Sequence, residues 1–201
     1  MHRRFSTRNE NGFTLIEVTV AISLLLVVAV AAGAFAISGL QLSSQQQRMQ
    51  VAVTVATERM EQVQRLTASN AQTTTLVAGR GSTAVDSAWT ANASVAGVAQ
   101  TYKAWGTAGV ETIPLTQSTT RGGSIYNSTV LIGTCYQPIA GGRCTKLSSY
   151  TSDPYPTVVS GQTRVIRVVV TVAYAGSCSG GCRYTTMALF DTKGDLKWQT
   201  D

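Results

Sequence analysis

The chain has 201 residues, a formal charge of +6 and only 13% charged side chains, a composition unlike that of a charged cytosolic enzyme. Its single histidine, His2, lies in the first dozen residues, so the commonest general base and metal ligand is missing from the rest of the chain. No phosphate loop, nucleophile elbow or zinc-binding helix occurs, and no catalytic residue, metal or cofactor is expected.

Residues 1–12 are short, polar and basic. Arg3, Arg4 and Arg8 against Glu10 give them +2 of the total, which leaves +4 for the remainder. Beyond them the Arg and Lys residues stand singly, so no basic run marks a nucleic-acid surface. From Val18 to Gln47 no side chain is charged. As a helix that stretch would extend about 45 Å, enough for a single span of a hydrocarbon core of about 30 Å. The span is placed from Leu15 to about Ile37. Positive residues precede it, so the leader stays in the cytoplasm and everything after Leu40 is exported.

Two plain readings fit this pattern. One is an ordinary secretory signal with Ala34-Phe35-Ala36 as its cleavage site, and the other is a simple membrane anchor. Neither uses Glu17, a carboxylate that would cost about 2.5–3.5 kcal/mol deep in a bilayer.

The stretch Gly12-Phe13-Thr14-Leu15-Ile16-Glu17, between basic leader and apolar run, resembles the processing motif of type IV prepilins and the related pseudopilins. The resemblance implies cleavage after Gly12 by a prepilin peptidase, N-methylation of Phe13, and residence in the inner membrane before assembly. It also implies the pilin fold, an α+β structure with a long N-terminal helix packed on a C-terminal antiparallel sheet. Glycine before the cut presents a backbone without a Cβ to a peptidase. Glu17 becomes the fifth residue of the mature chain, and the terminal ammonium of a neighbouring pilin subunit would supply the cation that a buried carboxylate needs. The partners implied are other pilin subunits and the peptidase, with DNA or a surface as candidate ligands of the head. The role implied is that of a minor pilus subunit acting in assembly or priming, in adhesion or in DNA uptake, at the cell surface or in the periplasm. A pseudopilin of a type II secretion system shares the motif, and an exported adhesin with a cleaved signal is the alternative from another class. One departure from major pilins is the lack of proline in the apolar half, where Gly33 and Gly39 are the only helix-weakening residues.

Residues 13–40 are thus read as the membrane and filament-core half of a helix, and residues 41–66 as its amphipathic half. If it runs to about Leu66, the helix is roughly 81 Å long. Met49, Val53, Ala56, Met60 and Val63 form one apolar stripe, predicted to pack on the sheet. Glu61 and Arg65 are spaced for an i,i+4 pair. The Gln-rich stretch from Gln41 to Gln50 and the segment Ala56-Thr57-Glu58-Arg59-Met60-Glu61 resemble PilV-type minor pilins and analogous pseudopilins.

Residues 67–123, rich in Thr, Ala, Ser and Gly, are read as a variable loop and strand region. Trp89 and Trp105 are expected as buried strand aromatics. Residues 124–201 read as an antiparallel sheet with disulfide loops, its strands at Ser124–Ile132, Arg164–Tyr174 and Arg183–Phe190. Within the second of these, Ile166, Val168, Val170 and Val172 are expected to face the core, and Val165, Arg167, Val169 and Thr171 to face away. Asp191-Thr192-Lys193-Gly194 looks like a hairpin turn with Trp198 on the returning strand.

The four cysteines, Cys135, Cys144, Cys178 and Cys182, read as two disulfides in an oxidising compartment, because their spacing suits paired zinc knuckles poorly. Three pairings are open, and the sequential one, Cys135 with Cys144 and Cys178 with Cys182, is preferred because each pair brackets a glycine-containing loop. The Asn92-Ala93-Ser94 and Asn127-Ser128-Thr129 triplets are expected to be accidental. Asp86, Glu111, Asp153, Asp191 and Asp195 are read as surface or turn residues.

Overall fold

The computed structural model describes residues 14–69, 72–147, 158–178, 180–191 and 196–197. The chain divides into two units, Met1–Gln45 and Gln46–Asp201.

Helix α1 runs from Leu15 to Ser69 without a proline, so nothing interrupts its backbone hydrogen bonds. Its start is closed by the Thr14 carbonyl, which accepts from the Glu17 and Val18 amides at 3.0 and 3.2 Å. In the first unit the helix is Leu, Ile, Val and Ala on every side. Thr19, Ser23 and Ser38 turn their hydroxyls back onto main-chain carbonyls of the preceding turn. The most apolar stretch of α1 has a mean hydropathy of 2.8 and none of it is buried within the protein, so this helix is long and apolar enough to cross a membrane.

The second unit holds the rest of α1, two short helices and a seven-stranded antiparallel sheet. Helix α2 is Thr73–Leu76 and α3 is Ser82–Ala91. The strands are β1 (Tyr102–Lys103), β2 (Thr116–Arg121), β3 (Ser124–Pro138), β4 (Val158–Val159), β5 (Gln162–Tyr174), β6 (Cys182–Phe190) and β7 (Leu196–Lys197). The order is β1-β3-β5-β6-β7, with β2 added to the start of β3 and β4 to the start of β5. In register, Val130 opposes Val170, and Val168 opposes Ala188.

One face of this sheet meets α1. Ala52, Val55, Ala56, Met60 and Val63 pack against the inward residues of β3, β5 and β6, among them Ile132, Val168, Val170 and Phe190. The protein is therefore α+β, a long N-terminal helix packed on a C-terminal antiparallel sheet. The buried stripe is rotated from the expected one: Met49 is 51% exposed and Val53 only partly buried, while Ala52 and Val55 are in the core. Glu61 and Arg65 form the expected pair at 3.5 Å.

The other face is not solvated, contrary to the expectation for β5. Leu131, Val169 and Met187, adjacent on three strands, are covered by Val85, Ala88 and Trp89 of α3 and by Val98 and Leu115. Val165 packs with Cys135, Cys144 and Leu189, and Arg167 and Thr171 are also buried. Both sets of β5 residues are thus interior, because the 82–115 segment folds over the outer face. That segment explains two further corrections. Trp89 lies on a helix rather than a strand, and Trp105 is 41% exposed outside any strand. Strand β7 returns beside β6 as expected, while Thr192 to Gly194 of the turn, and Trp198, lie outside the described residues.

Candidate functional site

The predicted processing site, Gly12 and Phe13, lies outside the described residues. Glu17 is in the first turn of α1, where a carboxylate is favoured by the positive end of the helix dipole. It is exposed among exposed apolar neighbours, with Leu15 at 84%, and makes no ion pair with any described residue. It is the one charged residue of α1 between Leu15 and Gln47.

The four cysteines form two disulfides, in the sequential pairing. Cys135 of β3 is joined to Cys144, and both are buried. The loop they close is held beside β3 by mutual main-chain bonds of Tyr136 and Thr145 at 3.0 Å. Cys178 and Cys182 close the β5–β6 turn. There a Cβ on Gly176 would fall 2.4 Å from the Cys182 sulfur, so the turn admits only glycine at that position. Arg48 of α1 donates to the Ala175 carbonyl of the same turn at 3.2 Å. Among the described residues no group of three or more His, Cys, Asp or Glu side chains could hold a metal ion.

Three buried arginines were not anticipated from sequence. Arg80, 1% exposed, donates from Nε to Ile113 O and from Nη1 to Val130 O, both at 2.8 Å. Arg59, on the buried side of α1, donates to Gln62 at 2.5 Å, Gln117 at 2.8 Å and the Pro114 carbonyl at 2.5 Å. Glu111, half-buried and outside any helix or strand, connects the two electrostatically and accepts the Leu115 amide at 2.6 Å, so it is engaged rather than simply solvated. Burial pushes the Arg80 guanidinium down to about 10, against the opposing field of Glu111, and lowers Arg59 for the same reason. At neutral pH both remain charged. The third, Arg167 of β5, donates to Gly97 O at 2.8 Å, Thr101 Oγ1 at 2.9 Å and Cys144 O at 2.7 Å. It therefore ties the loop over the outer face to the disulfide loop. Arg59 falls on the apolar stripe, at three residues from Ala56, and that position was the one sequence signal for its burial.

Asp86 is paired with Lys103 rather than simply solvated. Asn92 of the first glycosylation triplet is buried, its amide donating to Ala88 O at 2.8 Å and its oxygen accepting from Thr171. A glycan cannot be accommodated there in the folded state.

Compared with known protein families, residues 7–33 match the prokaryotic N-terminal methylation motif. The matched segment contains Gly12, Phe13, Glu17 and the first turns of α1. No curated protein and no solved structure matches the chain.

Proposed function

We propose that the chain is a minor type IV pilin of the PilV type, a structural subunit made as a prepilin. The observation that carries this reading is the methylation motif at residues 7–33, set at the start of α1, with Glu17 the one charged residue of that helix between Leu15 and Gln47. In this reading prepilin peptidase cuts after Gly12 and Phe13 becomes the methylated terminus. The first unit then anchors the subunit in the inner membrane, and the second unit is exported. The two disulfides suit an exported head, because such bonds persist in oxidising compartments. Other pilin subunits are the partners, through packing of the apolar helix and neutralisation of Glu17 by a neighbour's terminal ammonium. The head supplies adhesion or DNA contact, and no step of this function requires catalysis.

The experiment is intact-mass measurement and N-terminal sequencing of the protein from the membrane fraction. The expected product begins at Phe13 and carries one added methyl group. A chain beginning at Gly33 or Ile37 would replace the reading with an exported protein bearing an ordinary signal. Copurification of the mature chain with sheared filaments, rather than with a secretion apparatus, is the expected distinction from a type II pseudopilin.

A further inference from the structure

On the sheet face away from α1 a groove of about 620 Å³ opens between two walls. One wall is formed by residues Ala93 to Gly97 with Ala99 and Gln100, and the other by the disulfide-held stretch Arg143, Cys144 and Thr145. Arg167 of β5 and Met187 of β6 form the floor.

Both walls are fixed. The first is a series of tight turns, with main-chain bonds from Val95 to Asn92, Val98 to Val95 and Thr101 to Val98. The second is held by the Cys135–Cys144 bond and the Tyr136–Thr145 pair. Arg167 joins them, since its guanidinium donates to Gly97 on one side and to Cys144 on the other. A groove held this way loses little conformational freedom when it is filled.

The charge of the described lining residues has one sign. Arg143 is exposed at the lip, Arg167 lies in the floor, and no Asp or Glu is among the described lining residues. A cleft with low-dielectric walls concentrates the field of the cations that line it. Ser94, Gln100 and Thr145 add hydroxyl and amide groups, and Met187 gives an apolar contact. The volume is that of an ordinary small-molecule site.

We propose that this groove binds a hydroxyl-rich, sugar-sized ligand bearing one carboxylate or phosphate. Arg143 is the residue that pairs with the anion, and Arg167 is the positioning residue that holds the walls apart. The proposal goes beyond the filament reading and is independent of it, since the groove lies wholly in the second unit and does not involve Gly12, Phe13 or Glu17.

The test uses the full chain in an uncharged polyoxyethylene detergent, titrated calorimetrically with glucuronate, glucose 6-phosphate, glucose and inorganic phosphate. Saturable binding of glucuronate or glucose 6-phosphate is expected, at least about tenfold tighter than glucose, because a charge-assisted bond to Arg143 is worth that factor or more. Which of the two binds tells carboxylate from phosphate. Arg143→Gln should remove that advantage without changing the thermal unfolding midpoint, Arg143→Lys should restore part of it, and added salt should weaken it. Equal binding of glucose, no saturation with either charged sugar, or unchanged binding by Arg143→Gln would overturn the proposal. So would inorganic phosphate binding as tightly as both charged sugars, which would mean an adventitious ion only.

Discussion

The Arg80 guanidinium donates to the main-chain carbonyl of Val130 at 2.8 Å, at a place on the sheet where a neighbouring strand is missing. Strand β2 covers the edge of β3 as far as Thr129, and β1 resumes opposite Gly133. Between them the Val130 amide donates to Leu115 O at 2.9 Å, the Ile132 carbonyl accepts from Ala104 at 3.2 Å, and Arg80 takes the Val130 carbonyl. A buried cation here completes a strand edge. Arg80→Met is expected to leave the Ile113 and Val130 carbonyls unpaired and to cost about 2–6 kcal/mol, at about 1–3 kcal/mol for each stranded group. Arg80→Lys should be intermediate, because a single ammonium cannot span both carbonyls as the planar fork does. Urea unfolding with intact disulfides measures this, and an unchanged midpoint for Arg80→Met would refute the account.

Glu111 should be coupled to Arg80 rather than independent of it. Its carboxylate faces the fields of Arg59 and Arg80 and accepts the Leu115 amide. Glu111→Gln removes the carboxylate that acts on both cations, with an expected loss of about 1–3 kcal/mol. With Arg80→Met in the same chain, the combined loss should fall short of the sum of the single losses by at least about 0.5 kcal/mol. Simple additivity would show that Glu111 serves only the Leu115 amide.

Gly133 is set by close approach. A Cβ there would lie 2.2 Å from the Tyr102 carbonyl oxygen and 2.6 Å from the Thr101 methyl, both on the segment packed against β3. Backbone cannot rotate aside as a side-chain tip can. Gly133→Ala is therefore expected to displace β1 and destabilise the second unit by about 1–3 kcal/mol. Hydrogen exchange should localise the change to the Ala104 amide, which donates to the Ile132 carbonyl, and wild-type protection there would contradict it.

The two disulfides should differ in value. Loop entropy alone gives about 2.5 kcal/mol for the longer Cys135–Cys144 loop and roughly 2 kcal/mol for Cys178–Cys182. The first pair is also buried with Val165 and Leu189, whereas Cys178 is exposed, so its replacement adds a packing loss. Paired Cys→Ser replacements, compared by thermal unfolding, should rank Cys135/Cys144 as the more damaging. The opposite order would place the main constraint in the β5–β6 turn.

These features differ in how far the sequence announces them. The motif from Gly12 to Glu17 is consecutive, so its chemistry can be read without folding the chain. The strand at β5 is legible because Ile166, Val168, Val170 and Val172 repeat with the period of a pleated sheet. Its second buried face is not, because what covers it comes from elsewhere. Helix α3 is one of the covering elements, and it hides in a Ser, Thr and Ala-rich stretch with one fully buried residue, Val85, and no side-chain cap. The arginines are harder still. The acceptors of Arg80 lie 33 and 50 residues away, so its burial depends on carbonyls that no local pattern marks.

Glu17 gives the sharpest test of the proposed assembly. In the subunit it stands bare on an apolar helix, with no ion pair among the described residues. If helices of neighbouring subunits stack, an unpaired carboxylate between them would cost several kcal/mol, and a terminal ammonium in reach would offset that cost. In the proposed processing, cleavage falls at Gly12, on the other side of Phe13. Glu17→Gln keeps the shape and removes the charge, so it should be processed normally while its share of sheared filaments falls by about tenfold or more, the equivalent of 1.4 kcal/mol of lost pairing. Glu17→Ala should behave alike. Mass spectrometry of the filament and membrane fractions measures both quantities at once. Normal abundance of Glu17→Gln in filaments would remove the charge from the assembly step, and accumulation of the uncut chain would move Glu17 into peptidase recognition instead.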